Sequence, residues 1–169
     1  MKNLVLVGFM GSGKTVVGKL VAERLGMHFM DMDDEVERRE GRKISEVFAQ
    51  DGESYFRRLE RVLTQELASQ TDWVIATGGG IVLDPRNLDD FRKTSVIIGF
   101  GIHVDTVLQR VGHQTHRPLL EGGDKHKRVQ KLLAQREPLY RAAGEYIDTN
   151  DRTIDEVVNK VVAAYQKNP

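Results

Sequence analysis

Gly8-Phe9-Met10-Gly11-Ser12-Gly13-Lys14-Thr15 is the stretch that decides the fold. It matches G-x-x-x-x-G-K-[ST] and stands where that motif works, between an apolar run at Leu4–Val7 and a helix expected to open at Gly13 and end near Gly26. The glycines let successive backbone N–H groups curl round phosphate oxygens, and the helix N-terminus adds partial positive charge. Gly11, Ser12, Gly13, Lys14, Thr15 and Val16 are therefore the candidate nucleotide-binding residues. Lys14 would reach the β- and γ-phosphates, and Thr15 would offer its hydroxyl to Mg²⁺. The motif speaks for ATP or another nucleoside triphosphate and is silent about a second substrate.

Outward from the loop, apolar runs of strand length recur at Leu4–Val7, His28–Met30, Trp73–Ala76, Val96–Phe100 and, more weakly, Tyr146–Ile147. Each is followed by helical pattern, which reads as a parallel α/β fold. Most of the runs are apolar at successive positions, as strands covered by helices on both faces should be. The last helix is the clearest: Ile154, Val157, Val158, Val161, Val162 and Tyr165 form its stripe, with Thr153 and Glu156 as a capping box. A second runs from about Ser54 to Ser69, with Phe56, Leu59, Leu63 and Leu67 on one side and Arg57, Arg58 and Arg61 off it. Residues 112–125 fit neither element: glycines lie near both ends and Pro118 inside, the pattern of a mobile lid.

Composition narrows the class. The 169 residues suit one domain spanning 1–169, large enough for a real core. There is no cysteine, which excludes disulfides, thiolate metal sites and thiol redox chemistry. Lys+Arg and Asp+Glu are 25 each, so an electrostatically driven nucleic-acid binder is not expected. No run of about 18 apolar residues offers a membrane span, and Met1–Val7 is too short for a secretory signal. The expectation is a cytoplasmic protein, a monomer, with small-molecule partners.

Carboxylates follow the second strand in Phe29-Met30-Asp31-Met32-Asp33-Asp34, at the edge of the sheet where ligands of open α/β folds bind. In an extended stretch Asp31 and Asp33 would point the same way, one toward the Mg²⁺ shell and the other toward an acceptor hydroxyl; the alternative is that Asp33 or Asp34 caps a helix over Glu35–Glu40. The strand Trp73–Ala76 ends in Thr77-Gly78-Gly79-Gly80 rather than in the acid that usually supports the metal. Asp31 is thus the candidate metal carboxylate beside Thr15. The glycine triplet would let a bound molecule reach backbone N–H groups, or would simply make a tight turn before Pro85.

Taken together, GFMGSGKT, F-x-D-x-D, Phe56-Arg57, Thr77-Gly78-Gly79-Gly80, Arg117-Pro118-Leu119-Leu120 and Arg136-Glu137-Pro138-Leu139-Tyr140 resemble the shikimate kinases, over essentially the whole chain and in order. The resemblance implies a P-loop kinase fold with a central five-stranded parallel sheet, helices on both faces and a mobile lid. It implies transfer of the ATP γ-phosphate to the 3-hydroxyl of shikimate, on the aromatic amino-acid pathway, with Mg²⁺. It also implies roles for residues. Asp33 binds shikimate hydroxyls and is placed to act as base, Arg57 and Arg136 grip the carboxylate, and Gly78, Gly79 and Gly80 meet the substrate through backbone. Arg117 lies over the transferring phosphate, with Lys14, Asp33 and Arg117 the catalytic set, and Arg110 and Arg152 lie on the adenine side. His113 and His116 read as solvated lid residues. Alternatives remain: a kinase of another small hydroxy acid such as gluconate, a nucleoside monophosphate kinase, or a nucleotide-dependent regulatory module without an acceptor site.

Overall fold

Along the first strand Leu4 and Leu6 enter one apolar cluster while Val5 and Val7 enter another, and the protein is built on that division. The computed structural model describes residues 1–111 and 124–168. Its strands are β1 (Asn3–Gly8), β2 (His28–Asp31), β3 (Trp73–Ala76), β4 (Ser95–Gly101) and β5 (Glu145–Asp148). They form a five-stranded sheet in the order β2-β3-β1-β4-β5, and every pairing is parallel. The central strand sets the register, with Leu4 opposite Val74 and Val96 and Val5 opposite Ile75 and Ile97.

The described helices are α1 (Lys14–Leu25), α2 (Met32–Glu40), α3 (Ile44–Asp51), α4 (Glu53–Ala68), α5 (Pro85–Thr94), α6 (Val104–Val111), α7 (Lys125–Ala143) and α8 (Ile154–Gln166). α1 and α8 cover the face of Leu4, Leu6, Val74 and Ile98, through Val17, Val21, Val158 and Val161. The other face takes α2 to α7, through residues such as Val36, Leu63, Phe91, Val107 and Leu133. Burying a side chain of this size is worth about 1.5–3 kcal/mol, so a strand apolar on both sides needs helices on both sides. The expected α/β class and five-stranded parallel sheet are therefore present.

Local signals at helix ends mostly hold. Gly13, at φ +91°, is the N-cap of α1, and Gly26, at φ +66°, closes it. At α8 the Thr153 hydroxyl accepts from the Glu156 N–H at 3.2 Å and the Glu156 carboxylate accepts from the Thr153 N–H at 2.8 Å, the expected capping box. After β3 the glycines run into one 3₁₀ turn, Ile81–Leu83, and Asp84 caps α5 with Pro85 in its first turn.

Two expectations need correction. α2 opens at Met32 rather than Glu35, because Asp31 Oδ1 accepts from the N–H groups of Asp33 (3.0 Å) and Asp34 (3.2 Å) and starts the helix at the very end of β2. The capping residue is Asp31, not Asp33 or Asp34, and the D-x-D pair is not extended: Asp31 has β geometry and Asp33 sits on the first helical turn. Helix was expected after β3 and β4, where α5 and α6 stand; α3 and α7 had no counterpart among the expected elements. The lid at 112–125 falls almost wholly outside the described residues, and Arg117, His113 and His116 lie outside them.

Candidate active site

The carboxyl ends of β1, β2 and β3 bring the candidate residues together. In the phosphate loop, Gly11 and Gly13 have φ of +75° and +91°, backbone that L side chains rarely adopt, so the loop can curl only where these glycines stand. Lys14 is only 8% exposed. Its ammonium donates to the carbonyls of Gly8 (2.8 Å) and Phe9 (2.9 Å), folded back over its own loop. Val16 is exposed on the first turn of α1.

Beside the loop, the Thr15 hydroxyl donates to Asp31 Oδ2 at 2.5 Å, so one carboxylate caps α2 with Oδ1 and meets Thr15 with Oδ2. This hydroxyl and carboxylate are hard oxygen donors at the mouth of a phosphate site. Among the described residues no group of three or more His, Asp or Glu side chains could cage a metal ion by itself. This pair of oxygen donors fits Mg²⁺, which is bound through one or two protein oxygens together with substrate phosphates.

Of the adenine-side candidates, Arg110 at the end of α6 donates from Nη1 to the Gly11 carbonyl at 2.8 Å, against the phosphate loop. Arg152, exposed between β5 and α8, donates from Nε to the Asp148 carbonyl at 2.9 Å.

The glycine triplet is the floor of the second half of the site. A Cβ on Gly78 would lie 2.8 Å from Asp33 Oδ1 and 2.9 Å from Glu60 Oε1. On Gly79 it would lie 3.5 Å from the Tyr140 hydroxyl and 3.6 Å from Arg136 Nη1, and on Gly80 it would run into the Arg57 guanidinium. Asp33 from α2, Arg57 from α4 and Arg136 from α7 thus converge on three consecutive glycines. The tight-turn reading of the triplet holds, and the same segment lies where candidate site residues from three helices meet.

Around this floor the charges are held. Arg57 donates to buried Glu60 from Nη1 (2.6 Å) and to Glu53 from Nη2 (3.0 Å) and Nε (3.3 Å). Arg136 is 4% exposed, and its neighbour Glu137 pairs with Arg141 at 2.9 Å instead. The Tyr140 hydroxyl donates to the Gly79 carbonyl at 2.6 Å, tying α7 to the loop after β3. Burial pushes the Tyr140 phenol above its ordinary range and so keeps it a donor. Glu60 is 2% exposed; burial pushes its carboxyl up to about 7, Asp33 adding to the push while Arg57 and Arg136 oppose it. Its Oε1 has no hydrogen-bond partner among the described residues.

Glu60 and Tyr140 are the site residues that sequence reasoning missed. The signal was present for Glu60: it occupies a buried position between Phe56 and Leu63 on the α4 stripe, where a carboxylate has no packing reason to be.

With this geometry established, similarity to known proteins is informative. A model of the family described as shikimate kinase matches residues 10–166. The shikimate kinase of Caldanaerobacter subterraneus subsp. tengcongensis is 46% identical over 167 residues, covering 99% of this chain and 98% of its own. That of Thermoanaerobacter pseudethanolicus is 44% identical over 165 residues, covering 98% of this chain and 96% of its own. Among solved structures, the shikimate kinase from Acinetobacter baumannii in complex with shikimate has a TM-score of 0.94 at 36% identity, covering 99% of this chain and 94% of that one.

Proposed function

The chain belongs to the shikimate kinase family, and from that premise we propose how its own residues carry the reaction. The protein is an ATP-dependent phosphotransferase that moves the γ-phosphate of ATP to the 3-hydroxyl of shikimate, giving shikimate 3-phosphate and ADP. The alternatives, another hydroxy acid such as gluconate, a nucleoside monophosphate or a purely regulatory role, are not favoured.

Phosphoryl transfer asks little covalent chemistry of a protein, so the residues act by alignment and charge. Lys14 exchanges the carbonyls of Gly8 and Phe9 for the β- and γ-phosphates. Thr15 and Asp31 would hold Mg²⁺, which would supply positive charge to the phosphate oxygens. Asp33 faces the acceptor hydroxyl and receives its proton as the oxygen attacks. Arg57 and Arg136 hold the shikimate carboxylate, whose planar shape matches the guanidinium fork. Gly78, Gly79 and Gly80 let the ring lie on backbone. Arg110 and Arg152 flank the adenine side, and Arg117 neutralises charge on the transferring group. Each role can be filled by one copy of one domain, so we propose a monomer, and a cytoplasmic one because it consumes ATP. No described helix is long and apolar enough to cross a membrane.

The observation that carries the acceptor assignment is the convergence of Arg57 and a buried Arg136, from separate helices, on the Gly78–Gly80 loop beside Asp33. Coupled ADP release with shikimate, gluconate and AMP offered separately tests it. Turnover with shikimate alone, or far above the others, is expected; equal or greater turnover with gluconate or AMP rejects it. For Arg117→Ala, kcat should fall more than the shikimate KM rises, and a change confined to KM would make Arg117 a positioning group.

A further inference from the structure

The forked edge of Arg57 already carries a carboxylate. Nε and Nη2 present the pair of N–H groups that a carboxylate takes, and both are directed at Glu53 Oε1, at 3.3 and 3.0 Å. The remaining terminal nitrogen, Nη1, is held by Glu60 at 2.6 Å. These two acids are not equivalent. Glu60 is walled in, with 2% of its side chain exposed, whereas Glu53 is 48% exposed at the first residue of α4. Glu60 is fixed under the glycine loop, and Glu53 can swing into water at little cost.

We propose that Glu53 is an internal stand-in for the substrate carboxylate: it occupies the Arg57 fork and must be displaced by shikimate, so it lowers acceptor affinity while keeping the guanidinium aimed. The proposal rests on the reading of Arg57 as a carboxylate-binding residue. It makes Glu53 a positioning residue, acting through Arg57 without touching the reacting atoms. Removing its charge ends the competition and also removes a negative neighbour from an incoming anion. Partly exposed ion pairs of this kind have the strength that corresponds to an affinity gain of about two- to fivefold.

Calorimetric titration of shikimate and steady-state kinetics on the wild type, E53Q, E53A and R57A provide the test. In both Glu53 variants shikimate Kd and KM should fall about two- to fivefold, while ATP KM does not follow and kcat does not rise. A residue serving only the start of α4 would instead give a lower Tm and no gain in affinity. Shikimate carboxamide, which lacks the charge, should gain less from E53Q than shikimate does. Unchanged or weaker shikimate binding in folded E53Q and E53A overturns the proposal. R57A separates the two layers. If it keeps wild-type shikimate affinity, the acceptor-site reading itself falls; if it loses binding while E53Q and E53A are unchanged, only the role of Glu53 falls.

Discussion

Glu60 and Arg136 are charges placed where a core wants hydrocarbon, and each is tolerated because the other side of the site answers it. For Glu60 the cost shows in its carboxyl, pushed up to about 7 from an ordinary 4.5, chiefly by burial. Between those two values the folded chain keeps a proton that the unfolded chain has released. The contribution is therefore complete below the unfolded value and is lost as pH rises through about 7. E60Q has no such group. From about pH 4.5 to pH 8, urea unfolding should show the wild type losing up to about 3 kcal/mol relative to E60Q; no relative change would mean that Glu60 ionises normally in the fold. The neighbouring glycines make a second prediction at this scale. In Gly80→Ala the new methyl would meet the Arg57 guanidinium, so shikimate KM should rise by about tenfold or more with ATP KM preserved, since small misplacements of a positioning group are costly. An unaltered shikimate KM would show that Arg57 does not have to lie on Gly80.

At the scale of elements, α2 joins the two halves of the site through one carboxylate. Asp31 Oδ1 caps the helix that carries Asp33, and Oδ2 takes the Thr15 hydroxyl. Two substitutions separate these jobs. Asparagine caps as well as aspartate, so D31N should keep near wild-type stability while needing more Mg²⁺ for half-maximal rate; D31A loses the cap as well, about 1 kcal/mol or some 2–4 °C in Tm. If D31N and wild type share one Mg²⁺ dependence, Asp31 is a structural cap alone. The same helix shows why the site was only partly legible in the sequence. The phosphate loop and the apolar strands announce themselves, because glycine geometry and double-sided burial leave strong local signals. The start of α2 does not, since an aspartate read as extended can instead satisfy the first helical N–H groups. Nor did α7, whose interior proline, Pro138, interrupts the pattern and whose buried stripe of Val129, Leu133, Arg136 and Tyr140 includes an arginine. On α4 the stripe of Phe56, Glu60, Leu63 and Leu67, with the same spacing, includes a carboxylate. In both helices a charge on a core position of the repeat is the mark of the site, and a reading by hydrophobicity alone passes over it.

For the whole molecule, equal numbers of acids and bases do not say where the charges are placed. Lys14, Arg57, Arg110 and Arg136 gather about the carboxyl edge of the sheet beside Asp31, Asp33, Glu53 and Glu60, where two anionic substrates must meet, while ion pairs such as Arg38–Glu35 and Arg86–Asp84 neutralise the outer surface. The strand order puts β1 and its phosphate loop at the centre, with β3 and its glycine loop immediately beside it. On the proposed roles, nucleotide contacts then come from the β1–α1 loop and α6, acceptor contacts from α2, α4, α7 and the loop after β3, and the sheet holds both sets in one frame. Composition could state the zero balance but not this placement, which depends on which helix covers which face. The consequence is that the two substrates should stabilise the fold through separable sites. Each, at about a hundred times its Kd, adds about 2.7 kcal/mol, or roughly 5–10 °C in Tm for a chain of this size. In thermal melts Arg136→Ala should lose the shift given by shikimate and keep that given by Mg·ATP, and Lys14→Ala should do the reverse. Loss of both shifts in Arg136→Ala, with its circular dichroism unchanged, would show that α7 serves the nucleotide as well and that the division of the site between element sets is wrong.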